Sequence, residues 1–183
     1  WLATVPGKLI AAAHVEFIPI GEPPPDPDQM STRWFAGNTL IGGTIADGGA
    51  LAFTDFRIRE DGFTRFVILD RSLAPRQAGR TVQRLLEIDA YRILAMMALP
   101  FARELGPELA QTERALVDVT AELAAGATKD EPQLLDRLTR IEAQLQQRLF
   151  LSAPRFSASE AYYRLIQRRT DELREGRIDG VQM

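Results

Sequence analysis

The residues whose types and spacing invite chemistry lie in one helical run, "GRTVQRLLEIDAYRILAMMALPFAREL" at 79–105, where Arg84, Glu87, Asp89, Tyr91 and Arg92 are set among leucines, isoleucines and methionines. Stepping about 100° per residue places Val82, Leu85, Leu86, Ile93, Met96 and Met97 on one arc, with Asp89 inside it and Arg92 at its edge. Arg80, Arg84, Glu87 and Tyr91 form a stripe on the opposite side. Asp89 and Arg92 are three residues apart and can pair, and such a pair in an apolar seam is costly to desolvate unless further hydrogen bonds complete it. Two readings follow. In the first, the pair, with Arg84 and Glu87, locks this helix to a sheet or to another subunit. In the second, Arg84, Glu87, Asp89, Tyr91 and Arg92 line a ligand-binding site, since perturbed charges in a cleft mark functional sites.

Other groups carry less. His14 and Glu16 share one face of an expected strand and offer half of an acid-base pair, but a lone strand histidine reads as a partly buried polar residue. Asp47, Asp55, Asp61 and Asp70 are oxygen donors, yet their spacing matches no calcium loop and aspartates are common in turns. The glycines of "GGTIADGG" follow neither phosphate-binding pattern and sit between strands rather than before a helix. No catalytic residue, metal site or cofactor is expected on these grounds.

Composition narrows the classes further. The chain has 183 residues, 45% hydrophobic and 26% charged, with a formal net charge of -3 and a sequence pI near 5.3. That balance argues against a general nucleic-acid binder, whose affinity rests on a basic surface. There is no cysteine, which excludes disulfides and thiolate chemistry. The uncharged run Ile93 to Ala102 contains Pro100 and falls far short of the roughly 20 apolar residues that span a bilayer. The chain opens on Trp1 and reads as a piece of a longer protein.

The elements that must position these residues change character along the chain. Residues 8–18 favour a strand ended by Pro19, and "GEPPPDPDQ" at 21–29 reads as a surface loop stiffened by proline. "TLIGGTIA", "ALAFTDFRI" and "FTRFVILDR" are separated by Asp-Gly turns and predict three antiparallel strands in a meander, covered on one face and wet on the other. From residue 78 the period is helical. The first helix is expected over about 79–99, with Pro100 ending it and Gly106-Pro107 making a second break. Leu109, Leu116 and Leu123, then Leu134, Leu138, Ile141, Leu145 and Leu149, form two narrow stripes joined by "GATKDE", the pattern of an antiparallel helical hairpin. "SASE" looks like a capping box that opens a last helix at Ser157.

The fold class expected is therefore α+β, an antiparallel β-meander of three to four strands followed by helices that include a long antiparallel hairpin. Residues 1–75 form the β portion, 76–106 a helix packed on the sheet, and 107–183 the hairpin and terminal helix. Partnership through the helices, by self-association or with another protein, follows from the narrow stripes.

"AGRTVQRLLEIDAYRILAMMALPFARELGPEL" and "RFSASEAYYRLIQRRTDELREGRIDG", with "TDFRIREDGFTRFVI" before them, resemble a bacterial family of unknown function whose members are called uncharacterized membrane-anchored proteins. The resemblance covers most of the chain after about residue 50. It implies anchoring through hydrophobic segments outside these residues and a location on the cytoplasmic face of the bacterial inner membrane, with no catalytic residue to carry over; the scaffold, sensor or oligomerisation role expected for the chain comes from the narrow stripes. By fold plan alone the chain also looks like the soluble part of CorA-type magnesium channels, which would make it a small-molecule or metal-ion binding domain.

Overall fold

The computed structural model describes residues 4, 6–21, 26–125, 131–178 and 181–182. Its elements, in chain order, are β1 (Ala13–Pro19), α1 (Pro27–Phe35), β2 (Ile41–Ile45), β3 (Ala50–Thr54), β4 (Thr64–Asp70), α2 (Pro75–Met96), α3 (Leu99–Ala124) and α4 (Glu131–Leu173). This is an α+β fold. The chain divides into two compact units, one of Trp1–Leu94 with Tyr162–Met183 and one of Ala95–Ala161.

In the first unit the sheet order is β1-β4-β3-β2. β2, β3 and β4 are an antiparallel meander, with Leu51 opposite Leu69 and Phe53 opposite Val67. β1 joins the edge parallel to β4, Val15 opposite Phe66 and Phe17 opposite Ile68. A parallel neighbour requires a crossover connection, and the chain from Pro19 to β2 supplies it by way of α1. Beyond β2, Gly176 and Gln182 bridge to Thr44 and Ile41.

α1 corrects the expected loop at 21–29. Residues 22–25 lie outside the described residues, but Asp26 accepts a hydrogen bond from the Gln29 amide at 3.3 Å and Pro27 begins the helix. Proline is suited to a first turn, where its missing N–H has no helical partner to lose. A run that forbids a strand is thus compatible with a helix start.

Both faces of the sheet are covered, where one wet face was expected. Leu51, Phe53, Val67 and Leu69 pack with Met30 and Phe35 of α1, Leu40 and Val181. On the other face Ile45, Ala50, Ala52, Phe66 and Ile68 pack with Leu85 and Ile88 of α2 and Leu173 of α4. The strand threonines are buried and bonded within the protein: Thr54 Oγ1 donates to the Arg65 carbonyl at 2.8 Å, and Thr64 is fully buried.

α2 ends just before Pro100, as expected, but its buried positions are Thr81, Leu85, Ile88 and Asp89. The expected arc was centred on the apolar residues and included Leu86, Met96 and Met97, which are all exposed. Met97 lies past the helix end, and the buried face is turned toward Asp89, which accepts from Thr64 on the sheet.

In the second unit α3 continues through Gly106 and Pro107 without the expected break. Pro107 costs one backbone hydrogen bond in an exposed helix whose other turns persist. α4 likewise runs unbroken past Pro154, so no helix opens at Ser157. The residues flanking Pro154 are held from outside the helix: the Arg155 guanidinium lies 3.6 Å from the Phe101 ring centroid, and Ser159 Oγ donates to the Ala95 carbonyl at 2.9 Å. The "GATKD" part of the hairpin's connecting loop lies outside the described residues. The hairpin is antiparallel, since Arg137 meets Glu122 and Arg148 meets Glu108.

A methyl group distinguishes two glycines of the first unit. A Cβ at Gly42 would run into the Ala52 carbonyl oxygen and the Phe53 ring, whereas one at Gly79, inside α2, meets nothing within 4 Å. Gly42→Ala is expected to destabilise by about 1–3 kcal/mol because the strand backbone must move. Gly79→Ala is expected to stabilise by up to about 1 kcal/mol, as for any unobstructed helix interior. Chemical denaturation of the two variants checks both signs.

Candidate functional site

The buried face of α2 places a carboxylate against the sheet. Asp89 is 2% exposed, and both oxygens are occupied. Thr64 Oγ1, at the start of β4, donates to Oδ2 at 2.6 Å, while Arg92 donates to Oδ1 from Nη2 at 2.8 Å and from Nε at 3.2 Å. The Thr64 hydroxyl also lies 3.2 Å from the Ala12 carbonyl. Its single proton goes to the nearer, charged acceptor.

Arg92 ties a third segment into the seam. Its Nη2 donates to the Phe56 carbonyl at 3.1 Å, and its guanidinium lies 4.8 Å from the centroid of the Phe56 ring. Phe56 has φ of 50°, a left-handed conformation that is strained for an aromatic residue. It is held there from both sides, because its N–H donates to Thr54 Oγ1 at 3.1 Å. Asp89, Arg92, Thr64 and Phe56 thus fasten α2, β4 and the segment after β3 to one another.

Arg84 and Glu87 serve a different contact on the flank of α2. Glu87 accepts from Gln83 Nε2 at 2.8 Å and from Arg169 of α4, while Glu172 of α4 accepts from Arg84 Nε at 3.1 Å and from Arg169 Nη1 at 2.9 Å. Tyr91 stacks on Tyr162, centroids 6.1 Å apart and planes 17° from parallel. The five residues therefore divide among three sets of partners: the sheet, the last turns of α4, and Tyr162.

The aspartates singled out as oxygen donors are equally dispersed. Asp55 is buried and accepts from Arg59 Nη2 at 2.7 Å and Asn38 Nδ2 at 2.9 Å; Asp61 pairs with Arg65, Asp47 with Arg174, and Asp70 accepts from the Leu73 amide. Among the described residues no group of three metal-ligating side chains converges. His14 stacks on Phe63 and faces Asp61, and Glu16 accepts instead from the Trp34 indole at 2.7 Å.

Sequence reasoning paired Asp89 with Arg92 but missed Thr64, Phe56, Arg169 and Glu172. Only Arg169 and Glu172 left a signal, two opposite charges three residues apart on a helix; the carbonyl of Phe56 left none.

A carboxylate this deep is costly once its cation is removed. Arg92→Ala is expected to destabilise by roughly 3–5 kcal/mol, because it strands Asp89 at 2% exposure, and Asp89→Ala by less, because the Arg92 it leaves behind keeps 24% of its side-chain surface in water. The double variant should cost less than the two added together. Additive losses in denaturant titrations would show that the two residues do not act as one unit.

The flank predicts a pH dependence. The Gln83 amide, and then the Arg169 guanidinium, hold the Glu87 carboxyl below the ordinary glutamate range. A folded value below the unfolded one means that its contribution is complete above about pH 4.3 and is lost as pH falls through the depressed value. Glu175 works in the opposite sense, since burial and then Asp171 raise its value, so its contribution is present at low pH and lost as pH rises. Glu87→Gln should therefore flatten the decline of stability below about pH 4.3. Identical acid limbs for variant and wild type in urea titrations would show that Glu87 contributes nothing.

Neither the curated proteins nor the solved structures contain a match to the chain. A family model does match, over residues 1–183, with the description "Protein of unknown function (DUF3422)". By that match across its whole length, the chain belongs to the DUF3422 family of proteins of unknown function.

Proposed function

We propose that this protein is a non-catalytic scaffold whose helical unit pairs with a second copy of itself. The observation that carries the reading is the sidedness of the hairpin. Taking about 100° per residue from buried Val119, the leucines Leu109, Leu116 and Leu123 fall about 40–80° to one side, and Leu145 and Leu149 do the same from Ile141. In an antiparallel pair those two offsets land on the same flank. All five leucines are exposed, Leu149 to 61%. The ion pairs Arg137–Glu122 and Arg148–Glu108 fall on the other flank.

Two helices alone cannot bury both sides of their seam, and a contiguous exposed apolar flank marks an interaction surface. The seven-residue spacing on both helices is what a helical bundle seam uses. Two such flanks brought together by a twofold axis give four helices around one apolar core, an isologous interface that closes on itself. In the other unit the buried charges are spent on fastening elements together, which supports a platform rather than a catalyst.

Anchoring to the bacterial inner membrane, with this chain on the cytoplasmic face, belongs to the same reading and rests on the resemblance of the two helical motifs. No helix among the described residues is long and apolar enough to cross a membrane, so the anchor would be supplied by segments outside residues 1–183. A sensor role would require coupling between the association surface and a ligand.

Light scattering at tens of micromolar is expected to give the mass of a dimer for the chain, and of a monomer for the variant carrying Leu109→Glu and Leu116→Glu with its helical circular dichroism retained. A wild-type monomer across that range, or a dimer untouched by the two substitutions, would overturn the assignment of this flank.

A further inference from the structure

A cleft of the first unit, about 390 Å³, is lined by Gln77, Arg80, Thr81 and Arg84 of α2, by Ala46 and Asp47 of the β2–β3 turn, and by Glu172, Leu173 and Arg174 at the end of α4. We propose that it binds the phosphoryl group of a small molecule, with Arg80 and Arg174 as the principal ligands. Three features of the cleft carry this assignment.

The first is charge. Three arginines face two carboxylates, and the carboxylates are already engaged: Glu172 with Arg84 and Arg169, and Asp47 with Arg174. Arg80 makes no ion pair among the described residues. A guanidinium with five donors, beside a cleft whose acids are taken, leaves positive charge for an anion to answer.

The second is the placement of donors. Gln77, Arg80, Thr81 and Arg84 stand three and four residues apart, so they share one face of α2. Arg174 projects from a separate element. Its ion pair with Asp47 is more than three-fifths exposed on both sides, and a pair so wet is worth little and is readily exchanged for another anion. Guanidinium groups reaching in from two elements suit a tetrahedral, doubly charged oxyanion better than a planar carboxylate, which one arginine satisfies alone.

The third is backbone strain. Five non-glycine residues among those described have positive φ, and three of them, Ala46, Asp47 and Arg174, border this cleft. The Ala46 amide donates to the Leu173 carbonyl at 2.7 Å, which locks the turn to the end of α4. These conformations belong to a tight hairpin turn and a helix end, and they fix the wall of the cleft from which Arg174 projects.

The test is a titration of the whole chain with inorganic phosphate at constant ionic strength, followed by NMR of the backbone and arginine side-chain N–H groups, with succinate as a second arm. Saturable shifts at Arg80, Arg174 and Ala46, with a Kd of about 1 mM or tighter, are expected for phosphate. Arg80→Gln should weaken binding at least about tenfold and, since Arg80 has no ion pair to lose, leave the unfolding midpoint unchanged. Arg114→Gln, in the other unit, should bind as wild type does. Shifts that stay linear in phosphate, or equal binding by Arg80→Gln, would overturn the site. Succinate binding as tightly as phosphate would overturn the phosphoryl assignment. The dimer mass that tests the scaffold reading is measured separately, so either proposal can fail alone.

Discussion

The sheet-bearing unit depends on one buried carboxylate. Asp89 carries a full charge away from water, and the desolvation is compensated only because donors arrive from two directions, Thr64 from the sheet and Arg92 from the next turn of its own helix. Apolar contacts between Leu85, Ile88 and the residues Phe66 and Ile68 are non-directional and would tolerate a helix slid by a turn. A hydrogen bond at 2.6 Å does not. The apolar seam supplies attraction, and Asp89 fixes the register at which α2 meets β4.

That register has consequences further out. With α2 fixed, Arg84 and Glu87 face Arg169 and Glu172, so the last turns of α4 are placed by charge as well as by Leu173 in the core. The end of α4 then meets the sheet edge. Ala46 donates to the Leu173 carbonyl, and Thr44 and Gly176 exchange both backbone hydrogen bonds. Gly176 suits that approach, because a Cβ there would push against the Thr44 hydroxyl. The strained conformations at Ala46, Asp47 and Arg174 are the local cost of joining a tight turn to a helix end, and the cleft is the space they enclose with α2.

How much of this was legible in the sequence depended on whether the deciding forces were local. The meander was readable because alternation and Asp-Gly turns are short-range signals. The Asp89–Arg92 pair was readable because three residues on a helix are neighbours whatever the fold. The parallel partner of β1 was not, since pairing across some fifty residues leaves no local trace. Two-sided burial of the sheet was hidden for a related reason: the partners that let polar residues such as Thr54 and Thr64 be buried, Arg65 and Asp89, come from elsewhere in the chain. Gly106-Pro107 and the "SASE" box misled because strong local punctuation was overruled, near the box by Arg155 on Phe101 and Ser159 on Ala95.

The two units resolve the same physical problem in opposite ways. In the sheet unit polar groups are drawn inward and matched, so that Asp55, Asp89, Thr54 and Thr64 are buried without one unbonded side-chain atom among those described. In the helical unit the polar groups are matched at the surface, by arginine-glutamate pairs spanning the two helices along one flank. What that arrangement leaves over is apolar. Val119 and Leu134 are buried between the helices while Leu109, Leu116, Leu123, Leu145 and Leu149 are not. More polar contacts cannot cover leucine, and two helices offer no third side. The association proposed above rests on that surface, which another set of helices would remove from water, and so on the hairpin's own geometry rather than on its charge.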